Sequence, residues 1–439
     1  MSERWSGRAG FVLAAIASAV GLGSIWKFPY EVGANGGAAF VLFYVLGLAL
    51  AVVPLMLAEF AIGRRGAGDA VTSFERLAAA HGAARAWRWA GVLAVAAGLL
   101  ILSYYSVIGG WTLAYAVDTL LAGLPAADAG EVRARYEALL ASPARMTLYH
   151  ALFLGLTAAI VARGVGRGIE AAAKLLMPLL AALMLGLAVY SCALGDLAAT
   201  LRFLLRLDLS QFTARAALEA LGLGFFSIGV GFGLMITYAA YAGRDIDLRQ
   251  AAIVAVSADT AISLAAGLAV FPLVFAHGLD PASGPGLVFV TLPIAFARMP
   301  LGAAAALAFF LLLAVAALAS AISMLELAVA PAVRRFGWPR ARASALAAGA
   351  CFVAGLATVF SFQVSWRPTP FEAIDQVTSN LLLPLGGLAV AIFAGWVLPQ
   401  ALLAEELALG ARAAWALRGL LRWITPALIV AATLGPAFL

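Results

Sequence analysis

Two short glycine-bearing stretches interrupt apolar runs of this chain that are otherwise long enough to form continuous helices. The first is Ala17-Ser18-Ala19-Val20-Gly21-Leu22-Gly23-Ser24; the second is Ser227-Ile228-Gly229-Val230-Gly231-Phe232-Gly233. A glycine costs a helix interior about 1 kcal/mol relative to alanine, and hydrocarbon offers no partner to a freed N–H or C=O. Glycines at mid-span therefore read as helices that unwind. The half-helix ends then offer N–H groups to an anion and carbonyls to a cation. A cavity built this way suits a zwitterion with a cation beside it. Glycines also permit close helix packing, but here both clusters have a hydroxyl residue alongside, which favours binding. Asp259 lies inside a third apolar run, and an ionisable group there is a functional candidate by default. It reads as a fixed negative charge, a proton carrier or a structurally paired carboxylate. His81, His150 and His277 lie apart, and Cys192 and Cys351 sit in apolar context. No metal cluster or disulfide framework is expected, and no enzyme.

The elements that must carry these residues follow from composition. The 439 residues are 64% hydrophobic and 11% charged, with a mean hydropathy of +1.01, far from the roughly 25% charge of a soluble domain. Eleven apolar segments, each a candidate membrane span, run over 10–33, 38–62, 89–122, 147–162, 169–193, 217–241, 250–276, 301–331, 344–361, 373–398 and 419–437. The first holds Lys27 and Glu31 and lacks a small-residue cleavage site, so it reads as a span rather than a signal peptide. Alternate loops collect most of the arginines, from Arg4, Arg8, Arg64 and Arg65 to Arg334, Arg335, Arg412 and Arg418. The positive-inside rule then sets a cytoplasmic N-terminus, an extracytoplasmic C-terminus and a multi-pass protein of the cell (inner) membrane. The net charge of +6 is thus a mark of topology, and nucleic acid is not expected as a partner.

The expected fold is all-α and polytopic, one transporter domain over 1–439. Spans one and six carry the glycine clusters at equivalent points of two five-helix halves, 10–193 and 217–398, with 419–437 as an additional helix. Paired interruptions of this kind point to an inverted repeat with its site between the halves. The proline-rich stretch 276–300, with Pro281, Pro285, Pro293 and Pro300, is too apolar for a solvated linker and is expected to cap the outer face. The outer loop 123–146 is polar, and 400–416 reads as a cytoplasmic amphipathic stretch.

The run ASAVGLGSIWKFP (17–29) resembles the neurotransmitter:sodium symporter family, notably its bacterial amino-acid branch. So do Asn35-Gly36-Gly37, Pro54-Leu55-Met56, Tyr104-Tyr105, GFGLMITYAAY (231–241), TLPIAF (291–296) and Ile424-Thr425-Pro426. The resemblance covers nearly the whole chain. It implies a 5+5 inverted-repeat, leucine-transporter-like fold of eleven transmembrane helices, with helices 1 and 6 unwound at mid-membrane. It also implies secondary active transport by alternating access.

Site residues follow from the resemblance position by position. Tyr105 matches a tyrosine whose hydroxyl bonds the substrate carboxylate, with the Gly21 and Gly23 amides completing that contact beside Ala19 and Leu22. Gly21 stands where monoamine transporters carry aspartate, so an α-amino acid is expected rather than an amine. The substrate amine is expected near Ser18, Phe226 and Ser227. Ile101, Phe226, Gly229, Phe232, Ser320 and Met324 are expected around the side chain, a lining suited to hydrophobic or aromatic amino acids. A first sodium site is implied at Ala19, Ser24, Ser227 and Asp259, where Ser24 and Asp259 replace asparagines of relatives. A second is implied at Ala17, Val20, Ala316 and Ser320, where Ala319 stands in place of a hydroxyl residue. Tyr44, Ser227 and Ser263 match a chloride site of relatives, but Leu223 replaces its glutamine; a fixed carboxylate at Asp259 supplies the negative charge itself, so chloride is not expected to be required.

The gates match less evenly. Lys27 stands for an arginine opposite Asp375 at the outer gate, with Tyr104 and Phe232 as the lid beneath. Trp5 and Tyr241 match inner-gate positions. Arg334 occupies the place of an inner aspartate, so that salt bridge is not carried over, while Glu326 faces the inner vestibule. The reading is a sodium-coupled importer of neutral, hydrophobic or aromatic amino acids. Its alternatives are a proton-coupled or uncoupled transporter of the same fold, and a non-transporting amino-acid sensor.

Overall fold

The computed structural model describes residues 3–125, 128–210, 212–281 and 286–435, and among them every regular element is helical. The first crossing is a bent pair, α1 (Arg8–Ala19) and α2 (Gly23–Ala34), inclined at 51° across a three-residue break. Then come α3 (Ala38–Gly66), α4 (Ala70–Ala80), α5 (Arg85–Ala122), α6 (Ala129–Leu140), α7 (Pro143–Val161), α8 (Val165–Leu194) and α9 (Leu197–Leu205). The second interrupted segment is α10 (Ala214–Ile228) with α11 (Leu234–Ala239). It is followed by α12 (Leu248–Ala276), α13 (Leu287–Ala297), α14 (Gly302–Phe336), α15 (Arg340–Gln363), α16 (Pro370–Val397), α17 (Gln400–Leu407) and α18 (Ala411–Leu434). Nine of these are continuous helices long and apolar enough to cross a membrane, ten crossings with the bent pair. The α10–α11 segment, broken over five residues, stands outside that count.

Local chemistry sets the boundaries. Asp69 caps α4 by accepting the Thr72 N–H at 3.1 Å, and Asp247 caps α12 through Gln250 N–H at 3.0 Å. Thr369 and Glu372 form a reciprocal capping box at the start of α16. The long helices are apolar nearly all round, as segments between a protein core and lipid must be. The most enclosed is α14 and the least enclosed is α18. The expected amphipathic stretch 400–416 divides: 400–407 is the short helix α17, and from Ala411 the chain already belongs to α18. The expected last span 419–437 accordingly starts earlier, and its final residues lie outside the described ones.

The loop 276–300 is packed, not solvated: Phe289 of α13 is buried, stacks on Tyr136 of α6 and meets Trp26 of α2 edge-on. Pro285 lies outside the described residues. In the polar loop 123–146, α6 turns Val132 and Leu139 inward. Below, the end bearing residues 3–8 is called inner and the other outer, after the orientation expected from the arginines.

Close backbone approach fixes the second break. A Cβ on Gly386 of α16 would overlap the carbonyl oxygen of Gly231, which cannot yield as a side chain would. Gly386→Ala is expected to cost about 1–3 kcal/mol through overpacking, read as a lowered midpoint of thermal unfolding in detergent.

Candidate functional site

The two breaks face each other at the centre of the bundle. After Ala19 the chain leaves the helix at Val20, whose φ of −77° and ψ of 117° are extended. At the second break Gly229, Gly231 and Gly233 take φ of 68°, 96° and 78°, the left-handed region that glycine enters without strain. The opened backbone is partnered by side chains. The Leu22 N–H donates to the Tyr105 hydroxyl at 3.2 Å, and the Ser320 hydroxyl donates to the Val20 carbonyl at 3.0 Å. Glu59, fully buried on α3, accepts the N–H groups of Gly231 (2.8 Å), Gly233 (3.2 Å) and Met235 (3.1 Å). Sequence reasoning missed Glu59, although a lone carboxylate in an apolar run is the same signal that singled out Asp259.

Between the breaks lies a narrow cavity with about 30 Å³ open to water centres, room for about two waters. It brings together Ser18, Gly21, Leu22, Gly23, Ile101, Tyr105, Phe226, Ser227, Gly229, Phe232, Ser320 and Met324, and adds Leu234 and Leu383. Of the expected substrate residues Ala19 alone does not line it, being buried behind the break. The lining is divided. Tyr105, the Leu22 amide and Ser320 gather at one pole; Ile101, Phe232, Leu234 and Met324 supply an apolar wall. The Ser18 hydroxyl is buried with no hydrogen-bond partner among the described residues. There is no room at Gly21 for a side chain: a Cβ would stand 2.6 Å from Ser320 Oγ and 2.9 Å from the Tyr105 hydroxyl.

Next to this cavity Asp259 forms a closed polar cluster. Its carboxylate accepts from Tyr44 (3.2 Å), Ser227 (3.2 Å) and Ser24, and the Ser24 and Ser227 hydroxyls are 3.0 Å apart. Among the described residues no cationic side chain lies within 4.0 Å of it, unlike Glu326, Glu170 and Glu406, which pair with Arg340, Lys174 and Arg64. At the other set of expected cation ligands, Val20 and Ser320 meet directly. Ala17 and Ala316 are buried alongside, Ala316 one turn from Ser320 on α14.

A second cavity of about 170 Å³ lies toward the outer end, lined by Trp26, Lys27, Tyr30, Tyr104, Ile108, Phe371 and Asp375 together with Leu22, Tyr105 and Phe226. The last three line both cavities, so the partition between them includes Phe226. Phe232, expected in the lid, lines only the lower one. Lys27 and Asp375 share the outer cavity without an ion pair: the Lys27 ammonium stands 4.6 Å from the Phe226 ring centroid, and Asp375 accepts from Ser379 at 3.1 Å. The Tyr104 hydroxyl is 3.5 Å from that of Thr378.

The inner end is closed. Trp5 is buried edge-on against Phe11, Tyr238 and Tyr241, and its indole donates to the Tyr238 carbonyl at 2.9 Å. The Tyr241 hydroxyl donates to Glu326 at 2.8 Å. Arg340 pairs with the other Glu326 oxygen, with Glu3 at 2.6 Å and with the Val161 carbonyl at 2.8 Å. Arg334 stays out of this network, donating to the Ala67 carbonyl and lying over the Tyr241 ring. Glu3 and Arg340 had no counterpart among the expected gate residues.

A helical membrane protein whose two broken helices enclose a small polar and apolar site has the architecture of a transporter. The chain belongs to the sodium:neurotransmitter symporter family, which it matches over residues 2–138 and 137–436. It is 35% identical to the sodium-dependent transporter YhdH of Bacillus subtilis over 98% of this chain and 97% of that protein. It is 30% identical to a sodium-dependent transporter of Haemophilus influenzae over 90% and 89%. Its fold matches the crystal structure of MhsT in complex with L-phenylalanine with a TM-score of 0.90 and 41% identity, over 99% of this chain and all of that one. The expected leucine-transporter-like fold is therefore the observed one, and the protein is a transporter rather than an enzyme.

Glu59 is the most exacting of the partners, because its loss strands three buried N–H groups of the second break. An unsatisfied buried donor costs about 1–3 kcal/mol. Glu59→Ala is expected to abolish ligand binding, measured by scintillation proximity, in protein that still inserts in the membrane.

Proposed function

We propose that this protein is a sodium-coupled importer of neutral amino acids with hydrophobic or aromatic side chains, working by alternating access. The observation that carries the reading is Asp259, a fully buried carboxylate whose hydrogen-bond partners among the described residues are hydroxyls. Burying a charge without a counter-charge is costly, and oxygen-rich sites suit hard cations. A sodium ion held by Asp259, Ser24, Ser227 and the Ala19 carbonyl would supply the missing charge, travelling as co-transported cargo. The second site, Ala17, Val20, Ala316 and Ser320, has one hydroxyl fewer because of Ala319, and the Ser320–Val20 contact supports a weaker cation there.

The substrate reading rests on the divided cavity. An α-carboxylate fits the pole of Tyr105, Gly21, Leu22 and Gly23, where no aspartate could stand. The ammonium fits Ser18, Phe226 and Ser227, and the Ser18 hydroxyl lacks any other partner among the described residues. A hydrophobic body fits Ile101, Gly229, Phe232 and Met324. That MhsT is described with L-phenylalanine supports an aromatic substrate class. The fixed charge of Asp259 takes the place of chloride, which is then not required.

The α10–α11 segment is the eleventh crossing in this reading, and 10–193 and 217–398 are its two inverted repeats. The N-terminus is cytoplasmic, the C-terminus extracytoplasmic and the membrane the cell membrane. Trp5 and Tyr241 serve the inner gate; Lys27, Tyr104 and Asp375 serve the outer one.

Purified protein in proteoliposomes is expected to accumulate labelled phenylalanine or leucine under an inward sodium gradient, unchanged by replacing chloride with gluconate. Equal uptake under a proton gradient without sodium would favour the proton-carrier role for Asp259, and binding without flux a sensor. Asp259→Asn is expected to make uptake chloride-dependent or to abolish it. Tyr105→Phe is expected to weaken substrate affinity about tenfold, in line with loss of one hydrogen bond to a charged group.

A further inference from the structure

We propose that Glu170 of α8 is a positioning residue that clasps the chain at the inner end of α1 from outside, pinning the half-helix that carries Ala17 and leads into Val20. The inference rests on the alternating-access reading only in what the pin controls; the contact itself stands in the geometry.

Helix α1 begins at Arg8 with Gly7 before it, no side-chain cap of its own and no acidic residue in its first turn. A helix start leaves N–H groups without partners and carries partial positive charge. Glu170 faces that charge from another element, bonding the N–H of Ser6, the residue before the N-cap Gly7, rather than an N–H of α1. Its carboxylate is 2% exposed, accepts the Ser6 backbone N–H at 2.8 Å and takes the Ser6 hydroxyl on its other oxygen. Lys174, one turn along α8, balances it at 2.6 Å and also donates to Ser6 Oγ at 3.2 Å.

A second observation is independent of these hydrogen bonds. Gly10 lies in the first turn of α1, and a Cβ there would overlap the Glu170 carboxyl group. The glycine, unfavourable in a helix interior, thus permits the carboxylate to press onto α1 itself. One and two turns further along, Ala14 and Ala17 line a tight space with Ile169 and Ala173 of α8. The same face of α1 is therefore held to α8 from Ser6 to Ala17, directly below the break whose carbonyls are the proposed cation ligands. If the inner half of α1 moves away from α8 when the inner end opens, the Glu170 clasp and the Gly10 contact must break together. Their strength then sets how often the inner end opens.

The test uses the full-length protein with Cys192 and Cys351 replaced by alanine and Ala14→Cys added as a reporter. Ala14 is fully buried when the inner end is closed. Inside-out vesicles are treated with a membrane-impermeant maleimide, and the labelling rate is compared between variants. Glu170→Gln keeps the size of the side chain and is expected to raise the rate about tenfold, in line with a partly buried charge at a helix end. Gly10→Ala is expected to raise it too, but to add nothing on top of Glu170→Ala, since the two changes remove one contact. An unchanged rate in both Glu170→Gln and Gly10→Ala overturns the proposal, as does full additivity of Gly10→Ala with Glu170→Ala. Repeating the labelling of the parent with and without sodium separates the two readings. A rate indifferent to sodium but raised by Glu170→Gln keeps the clasp and removes the sodium reading.

Discussion

The structure depends on one constraint: backbone that leaves the helix inside hydrocarbon must find its partners within the protein. The two breaks meet it differently. The second is held by a carboxylate, Glu59, which takes three N–H groups at once. The first is held by hydroxyls, Tyr105 on an amide and Ser320 on a carbonyl. Charge-assisted bonds are about twice as strong as neutral ones, so the second break is the firmer frame. The first is the adaptable one, because a ligand carboxylate or a cation can displace a hydroxyl at small cost. The ligand-facing chemistry falls where the backbone is held least tightly.

Buried carboxylates follow the same division of labour. Glu326, Glu170 and Glu406 are each matched by a basic side chain and tie elements together at the inner end. Glu59 is matched by backbone dipoles. Among the described residues, the hydrogen-bond partners of Asp259 are hydroxyls. A buried ion pair that loses a partner is strongly destabilised, so the matched acids favour the closed arrangement of the inner end. On the proposed reading, Asp259 is the acid that a bound cation serves.

The breaks were legible in the sequence because paired glycines in the middle of an apolar run weaken a helix just where hydrocarbon would otherwise enforce it. The residues around them came together nearly as expected. Partners contributed from far along the chain were not legible. Glu59 serves a segment about 170 residues away, and nothing beside it in sequence names that segment. Phe226, just before the glycine cluster, lines both cavities, and Phe232, inside it, lines only the lower one; nothing in the sequence distinguishes the two rings in this way. The inner ion pair was missed because Arg334 and Arg340 differ by less than two helical turns of sequence. A proline and a helix boundary between them turn one toward Ala67 and the other toward Glu326.

The two ends of the site are unequally shut. Inside, an indole packs against three aromatic neighbours, and the Glu3–Arg340–Glu326–Tyr241 chain ties the surrounding elements together. Outside, Lys27 rests on the Phe226 ring and leaves Asp375 to Ser379. Lys27 and Phe226 are both half-buried, and a cation over an aromatic face is worth about 0.5–1 kcal/mol when exposed and about 2 when desolvated. In the proposed outer gate, Lys27 exchanges Phe226 for Asp375. Because Phe226 also divides the two cavities, that exchange would free the ring on which the partition depends. A lysine suits this use better than an arginine, whose bidentate fork would commit it to the carboxylate.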